Sequence, residues 1–167
     1  SLPPKILLLT TFPYALFLFL IIDKFSITKQ IFDKAQLHDL VGLHIFRLIG
    51  STFIILALYD SLPKPFAFIA GLGDVITAIT SVFVVKSIKN NEKYAKKLTL
   101  FWNTFGLIDI ITTAILANVL TKISMDTGAM GVDTLAKFPF SLIPAFAPPT
   151  IIFVHVLIYR KLKKISQ

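Results

Sequence analysis

The chain has 167 residues, 55% of them hydrophobic and 16% charged, with a mean hydropathy of +0.79, a formal net charge of +8 and no cysteine. Soluble domains contain about 45–50% apolar and about 25% charged residues. This composition therefore excludes an ordinary soluble domain, a disordered chain and a disulfide-bonded secreted scaffold.

Five apolar runs are each long enough, at roughly 20 residues, to cross the hydrocarbon core of a bilayer as an α-helix. We therefore predict an all-α membrane protein in which residues 1–167 form one multi-pass domain. The five predicted spans cover residues 6–22, 40–59, 66–88, 98–120 and 138–159.

The basic residues predict the orientation of these spans. Twelve of the 17 lie at the end of the third span, in the connections after the first and third spans and in the segment after the fifth, four lie on the opposite side, and Arg47 lies within a span. Because cytoplasmic connections are enriched in Lys and Arg, we expect the N-terminus outside and the C-terminus inside. Basic residues in short segments between apolar runs also favour the lipid bilayer, and not nucleic acid, as the partner. The twelve are Lys24, Lys29, Lys34, Lys86, Lys89, Lys93, Lys96, Lys97, Arg160, Lys161, Lys163 and Lys164.

Two connections have a character of their own. Residues 23–39 place apolar side chains at helical spacing after a candidate capping residue, Ser26, and predict a short helix. This helix either lies at the membrane interface or leads directly into the second span. Residues 121–137 contain two Gly and two Asp and are expected to form an exposed outer loop.

Ionisable side chains inside membrane spans are energetically unfavourable, so each of them is a candidate functional residue. The second span carries Arg47, the third Asp74 and the fourth Asp109. Arg47 can reach either carboxylate, and we expect its partner to be Asp109 on grounds of depth. Two carboxylates against one guanidinium predict that one Asp is protonated or that a bound cation supplies the missing charge. The alternative is an ion-pair network that only joins the helices.

A short internal repeat connects the two aspartates. Residues 71–77 (GLGDVIT) align with residues 106–112 (GLIDIIT), with five of seven positions identical. Because consecutive spans run antiparallel, the repeat predicts an inverted symmetry of the kind found in many transporters. In each copy Asp and Thr are three residues apart on one helix face, where their oxygens can bind Na⁺ or carry H⁺. Ordinary packing through small residues is the alternative. The predicted ligands are Asp74, Thr77, Asp109 and Thr112.

The outer half of the fifth span contains Pro139, Pro144, Pro148 and Pro149. Each proline removes a backbone hydrogen bond, so we predict that this span is broken in its outer half and that a cavity opens outward beside it. The alternative is a re-entrant or interfacial loop followed by a shortened helix.

Two histidines on different spans, His44 and His155, are predicted to lie at one depth near the cytoplasmic side. Such a pair can supply the axial ligands of a haem b. The alternative is a polar network that includes Asn103.

Three short segments resemble the motifs of presenilin-type aspartyl intramembrane proteases. Leu58-Tyr59-Asp60 and Gly71-Leu72-Gly73-Asp74 resemble their YD and GxGD motifs, and Pro144-Ala145-Phe146 is similar to their PAL motif. The resemblance implies a hydrolase with two carboxylates that share a proton. Asp60 is predicted at the membrane surface and Asp74 about eight residues deeper, which argues against such a pair. No zinc-protease, nucleotide-binding or nucleophile-elbow motif is present, which favours a protein that is not an enzyme.

One set of residues runs from the second span to the fifth and comprises Arg47, Gly50, Gly73, Asp74, Trp102, Asn103, Gly106, Asp109, Pro144, Pro149 and His155. At these positions the chain resembles a group of small, uncharacterised bacterial inner-membrane proteins. The resemblance implies a bacterial inner-membrane location and no particular activity.

Together these patterns predict a protein that binds and transports a small solute or ion at a buried Arg/Asp site. The alternatives are a haem-binding redox protein, an intramembrane hydrolase and a non-catalytic accessory subunit, and a homo-oligomer is compatible with each. The predicted site residues are Arg47, Asp74, Asp109, Thr77, Thr112 and Asn103.

Overall fold

The computed structural model describes residues 5–165, and every regular element in that range is a helix. A 3₁₀ helix, Leu43–Gly50, joins α3 to α4 without a break, and a second one covers Asp133–Ala136. The α-helices are α1 (Lys5–Lys24), α2 (Ser26–Lys34), α3 (Leu37–Gly42), α4 (Ser51–Leu58), α5 (Lys64–Lys89), α6 (Ala95–Thr127) and α7 (Leu142–Lys164).

Four helical stretches have the length and hydropathy needed to cross a membrane. They are Leu37–Leu58, Lys64–Lys89, Ala95–Thr127 and Leu142–Lys164. In the part of α1 whose side chains are described, the apolar stretch is shorter and covers Leu9–Leu20. The all-helical prediction is confirmed, and four of the five predicted spans correspond to helices of membrane-spanning length.

The surface of the bundle is apolar and part of its interior is polar. Ile76 and Phe83 on α5 and Ile108 on α6 are exposed, whereas Asp74 and Thr77 on α5 are buried. In a water-soluble helix this distribution would be reversed. Polar side chains that face the bundle interior are typical of membrane helices.

Helices α5 and α6 run antiparallel. A Cβ added at Gly73 would contact Asp109, one added at Gly106 would contact Thr77, and the Trp102 indole donates to the Thr77 carbonyl. As residue numbers increase along α5, the numbers of the residues that they contact on α6 therefore decrease. This is the antiparallel arrangement that the inverted repeat requires.

Helices α1 and α7 run parallel to each other. The Tyr14 hydroxyl lies 3.1 Å from Thr150 Oγ1, and the rings of Phe19 and Phe153 pack edge to face with centroids 5.6 Å apart. As residue numbers increase along α1, the numbers of the residues that they contact on α7 increase as well. Helix α1 therefore runs in the same direction as the last helix.

Helix α7 is not broken, and the prediction of a Pro-broken fifth span is wrong. The helix begins at Leu142 and continues through Pro148 and Pro149. Pro144 lies in the first turn, where backbone N–H groups have no acceptor within the helix. Pro148 cannot donate to the carbonyl of Pro144, and the Thr11 hydroxyl of α1 donates to that oxygen instead, at 3.3 Å. A side chain from α1 thus replaces one missing backbone hydrogen bond.

The two connections singled out in the sequence, residues 23–39 and 121–137, differ in detail from their predicted structures. A short helix does follow α1, but Phe25 occupies the N-cap position and Ser26 is the first helical residue. Residues 121–127 belong to α6 and not to the predicted outer loop. The helix ends there because Gly128 has a φ of +73°, the left-handed conformation that glycine adopts at helix ends.

Asp74 and its buried partner Arg47 lie between two apolar clusters. On α5, Phe66, Ala67 and Ala70 belong to one cluster and Val84 to the other, with Asp74 between them. The α7 cluster comprises Leu40, Val41, Val84, Trp102, Phe153, Val154, Leu157, Ile158 and Leu162. The α5 cluster comprises Phe53, Ala57, Leu62, Phe66, Ala67, Ala70 and Leu135.

Candidate functional site

The 3₁₀ helix between α3 and α4 places three site residues on one face. His44, Arg47 and Gly50 are spaced three apart, and all three are buried. A 3₁₀ helix has 3.0 residues per turn, so residues three apart lie directly above one another, whereas on an α-helix they would be rotated out of line. The three-residue spacing of His44, Arg47 and Gly50 therefore matches the repeat of this 3₁₀ helix and is visible in the sequence.

Arg47 binds both aspartates at once. Its Nε donates to Asp74 Oδ1 at 2.7 Å and its Nη2 to Asp109 Oδ2 at 2.5 Å. The Nη1 atom donates to the carbonyl of Gly106 at 3.1 Å, and no part of Arg47 is exposed. The expectation that Arg47 would favour only Asp109 is wrong, because the fork of five N–H donors reaches carboxylates on two helices.

His155 of α7 extends this cluster. Arg47 Nη1 lies 3.3 Å from His155 Nε2, and Asn103 Oδ1 lies 2.7 Å from His155 Nδ1. A guanidinium only donates, so Nε2 must accept and Nδ1 must carry the proton that is donated to Asn103. Asn103 also donates to the His155 carbonyl at 3.1 Å. Asn103 therefore belongs to the cluster as a positioning residue for His155.

The two histidines are neighbours, as their predicted common depth implied, but they do not frame a haem site. The His44 and His155 rings have centroids 4.2 Å apart, and the edge of Trp102 packs against His44 at 5.1 Å. A haem between two axial ligands needs space for a macrocycle and for two metal–nitrogen bonds, and rings in direct contact leave none. The prediction that this pair holds a haem between its two rings is therefore wrong. Neither ring nitrogen of His44 has a hydrogen-bond partner within residues 5–165.

Three glycines make room for the partners of Arg47. In each case the missing side chain leaves space that a neighbouring helix occupies, which is how small residues allow close helix packing in membranes. An added Cβ at Gly50 would overlap Asp74 Cβ, at Gly73 it would overlap the Asp109 carboxylate, and at Gly106 it would lie 2.8 Å from His155 Cε1.

The two threonines of the repeat do not join the cluster as ligands. The Thr77 hydroxyl donates to the Gly73 carbonyl of its own helix at 2.8 Å, and Thr112 is exposed. The repeat copies have unequal surroundings because the 3₁₀ helix and α4 pack against α5, whereas α7 packs against α6. The contacts of the cluster therefore include both aspartates of the repeat and neither threonine, and a ligand role for Thr77 and Thr112 stays a prediction.

The aspartates of the protease-like motifs do not meet. Asp60 lies in the turn after α4, largely exposed and 3.9 Å from Lys64 Nζ, whereas Asp74 is buried against Arg47. Two carboxylates in these positions cannot share a proton. Asp60 and Asp74 therefore do not form the catalytic pair that the resemblance to intramembrane proteases implies.

A cavity of about 480 Å³ ends at the Arg47 cluster. Arg47 and Asp74 line one end of it, and the 3₁₀ turn Asp133–Ala136 with Lys137 lines the other. Pro144 and Pro148 form part of its wall, so a cavity does lie beside the prolines although the helix is intact, and its outward opening stays a prediction. The walls are mostly apolar. Their polar members, which the sequence analysis did not identify, are Thr11, Thr113, Asn118, Thr121 and Asp133.

The fold and the cluster together define a class: an all-helical chain with four helices able to cross a membrane, packed around one buried arginine and two aspartates. The chain belongs to the family of the Domain of unknown function (DUF8737), whose family model matches residues 3–163. No curated protein and no solved structure matches the chain.

Substituting Gly50 with alanine tests the close packing around Asp74. We expect Gly50→Ala to lower the free energy of unfolding by about 1–3 kcal/mol, because the new methyl group overlaps a Cβ that cannot move independently of its backbone. Gly42→Ala is the matched control, since an added Cβ there meets only Val85 Cγ2, at 3.8 Å. It should be neutral or stabilising by up to about 1 kcal/mol. Unfolding in detergent measures both, and equal effects would show that Gly50 is not a close-packing position.

Removing Arg47 tests the charge cluster. We expect Arg47→Gln to lower the free energy of unfolding by about 3–5 kcal/mol, because it leaves two carboxylates buried without a counter-charge. Asp74→Asn should be milder, at about 1.5–3 kcal/mol, because Arg47 keeps Asp109. Asp126→Asn, at an exposed position, serves as the control. An Arg47→Gln variant that unfolds like the Asp126→Asn control would contradict a structural role for the cluster.

Proposed function

We propose that this chain is a multi-pass protein of the bacterial inner membrane that binds a small solute in the cavity next to Arg47 and transports it across the bilayer. The observation that carries the proposal is that the cavity ends on the buried charged cluster. Neither feature alone would suffice, since cavities and ion pairs each occur without a binding function.

The cavity has the dimensions and lining of a small-molecule site. Such sites are usually between about 300 and 1,000 Å³, mostly apolar, with a few polar groups that converge on the ligand. Here α5, α6 and α7 all contribute to the wall, and the polar groups at the inner end are Arg47 and Asp74. A solute in this cavity would contact several helices together.

The position of Asp74 favours binding over a purely structural ion pair. A cluster that only joined helices would gain most by being sealed from every cavity. Instead the Asp74 side chain is 9% exposed and lies on the cavity wall, so it can contact both Arg47 and a solute. This position is the main argument against a non-catalytic accessory subunit without a ligand.

The transport step rests on orientation and on the 3₁₀ segment. With the predicted N-out, C-in topology, the Asp133–Ala136 end of the cavity faces outward, and the α7 cluster closes the cytoplasmic side. The parallel packing of α1 on α7 supports an odd number of spans, because it directs the first and last helices the same way. A 3₁₀ stretch within a longer helix is a common site of conformational change, and this one carries Arg47.

The orientation is tested by cysteine labelling, for which a chain without native cysteine is well suited. We expect Ala129→Cys, between α6 and the Asp133–Ala136 turn, to react with a membrane-impermeant maleimide on intact cells. Asn90→Cys, at the end of α5, should react only after permeabilisation, because the positive-inside rule places that connection in the cytoplasm. The reverse pattern would refute the proposed topology.

Filling the cavity tests the binding function. We expect some members of a small-molecule library to raise the Tm of the wild type in nanodiscs, and Ala114→Phe to abolish those shifts because the new ring occupies the cavity. The matched control is Ile115→Phe on the neighbouring, exposed position of α6, which should behave like wild type. If no compound distinguishes Ala114→Phe from Ile115→Phe, the cavity is not a binding site. Proteoliposome uptake of any compound found then tests transport.

A further inference from the structure

We propose that the solute is an organic cation, specifically an ammonium ion with apolar substituents. The inference rests on the proposed function, because it assigns the chemical class of the ligand for the same cavity. Three features of the cavity support it: its charge, its scarcity of oxygen ligands near Asp74, and its aromatic side chains.

The charge balance of the Arg47 cluster at the inner end of the cavity favours a cation. Arg47 is paired with two carboxylates, those of Asp74 and Asp109, and the His155 ring accepts a hydrogen bond from Arg47 through Nε2. At the other end of the cavity Asp133 and Lys137 cancel formally. With both carboxylates ionised, the cluster has one negative charge more than Arg47 balances, and Asp74 is the carboxylate of the cluster that lines the cavity. A monovalent cation beside Asp74 would balance this charge, and a buried charge is tolerated only when it is paired in this way.

The surroundings of Asp74 do not suit a small inorganic cation. Hard cations that lose their water need several oxygen ligands. Neither Thr77 nor Thr112 lines the cavity, so neither supplies an oxygen ligand beside Asp74 there. Arg47 already occupies one Asp74 oxygen, and the cavity volume of about 480 Å³ greatly exceeds that of one ion. An ammonium ion with a larger apolar body fits both the volume and the small number of acceptors.

Two phenylalanines complete the site. Phe53 and Phe66 both line the cavity, both are buried, and their ring centroids lie 5.7 Å apart with an interplanar angle of 53°. Aromatic faces attract ammonium groups through the ring quadrupole, and the attraction increases where water is excluded. A carboxylate and two aromatic rings in one apolar cavity thus provide complementary contacts for the charged and apolar parts of such a ligand.

The test compares three probes with the same aromatic body but different charge: phenethylamine, 2-phenylethanol and phenylacetate. Binding is measured by calorimetry with the full chain in nanodiscs, and empty nanodiscs correct for partition into lipid. We expect the amine to bind about ten-fold or more tightly than the alcohol, and the carboxylate to bind most weakly. Asp74→Asn should abolish the preference for the amine, whereas Asp126→Asn should retain it.

A second variant keeps the test decisive if Asp74→Asn is unstable. Phe53→Leu removes one aromatic face, so it should reduce the affinity for the amine several-fold and leave that for the alcohol nearly unchanged. If the alcohol or the carboxylate binds as tightly as the amine, the assignment of the ligand class is wrong and the proposed function stands. If none of the three binds, the assignment is also wrong, and the comparison of Ala114→Phe with Ile115→Phe decides the proposed function separately.

Discussion

The Arg47 guanidinium is the interaction on which the rest of the structure depends. It contacts the side chain of Asp74 on α5, the side chain of Asp109 on α6 and the His155 ring on α7. A full charge without exposure is stable only if its hydrogen bonds are satisfied, so these three helices must meet at the depth of Arg47. One side chain thereby fixes the relative position of four chain segments, and the cavity forms where they do not close completely.

The backbone around Arg47 follows from this requirement. The 3₁₀ turn aligns Arg47 with Gly50 on one face, and Gly50 lets the Asp74 carboxylate approach. Gly73 does the same for Asp109, so the glycines and the acidic residues act as pairs. Close backbones also favour the small side chains found along the buried face of α5. The helix packing and the charge cluster are therefore two aspects of one constraint.

Much of the fold could be predicted from the sequence, because hydropathy determines where helices cross a membrane. Arg47, Asp74 and Asp109 were also predicted as one site, since ionisable residues inside spans rarely occur without partners. The failures concern long-range geometry. Thr112 matches Thr77 in the repeat, yet α7 and not a second copy of the 3₁₀ helix packs on α6. Pro148 is predicted from the sequence to break the helix, because the Thr11 hydroxyl that replaces its missing hydrogen bond lies more than 130 residues away. Such contacts leave no local pattern.

The direct measure of how Arg47 works is the free energy of unfolding of three variants compared with wild type: Arg47→Met, Asp74→Asn with Asp109→Asn, and all three substitutions together. Because the arginine and the aspartates stabilise each other, the neutral triple variant is expected to be more stable than Arg47→Met and more stable than the double Asn variant. The coupling should reach about 3 kcal/mol, as for residues in one buried network. If the effects of the three substitutions simply add, Arg47 does not bind the two aspartates as a unit, and the account is contradicted.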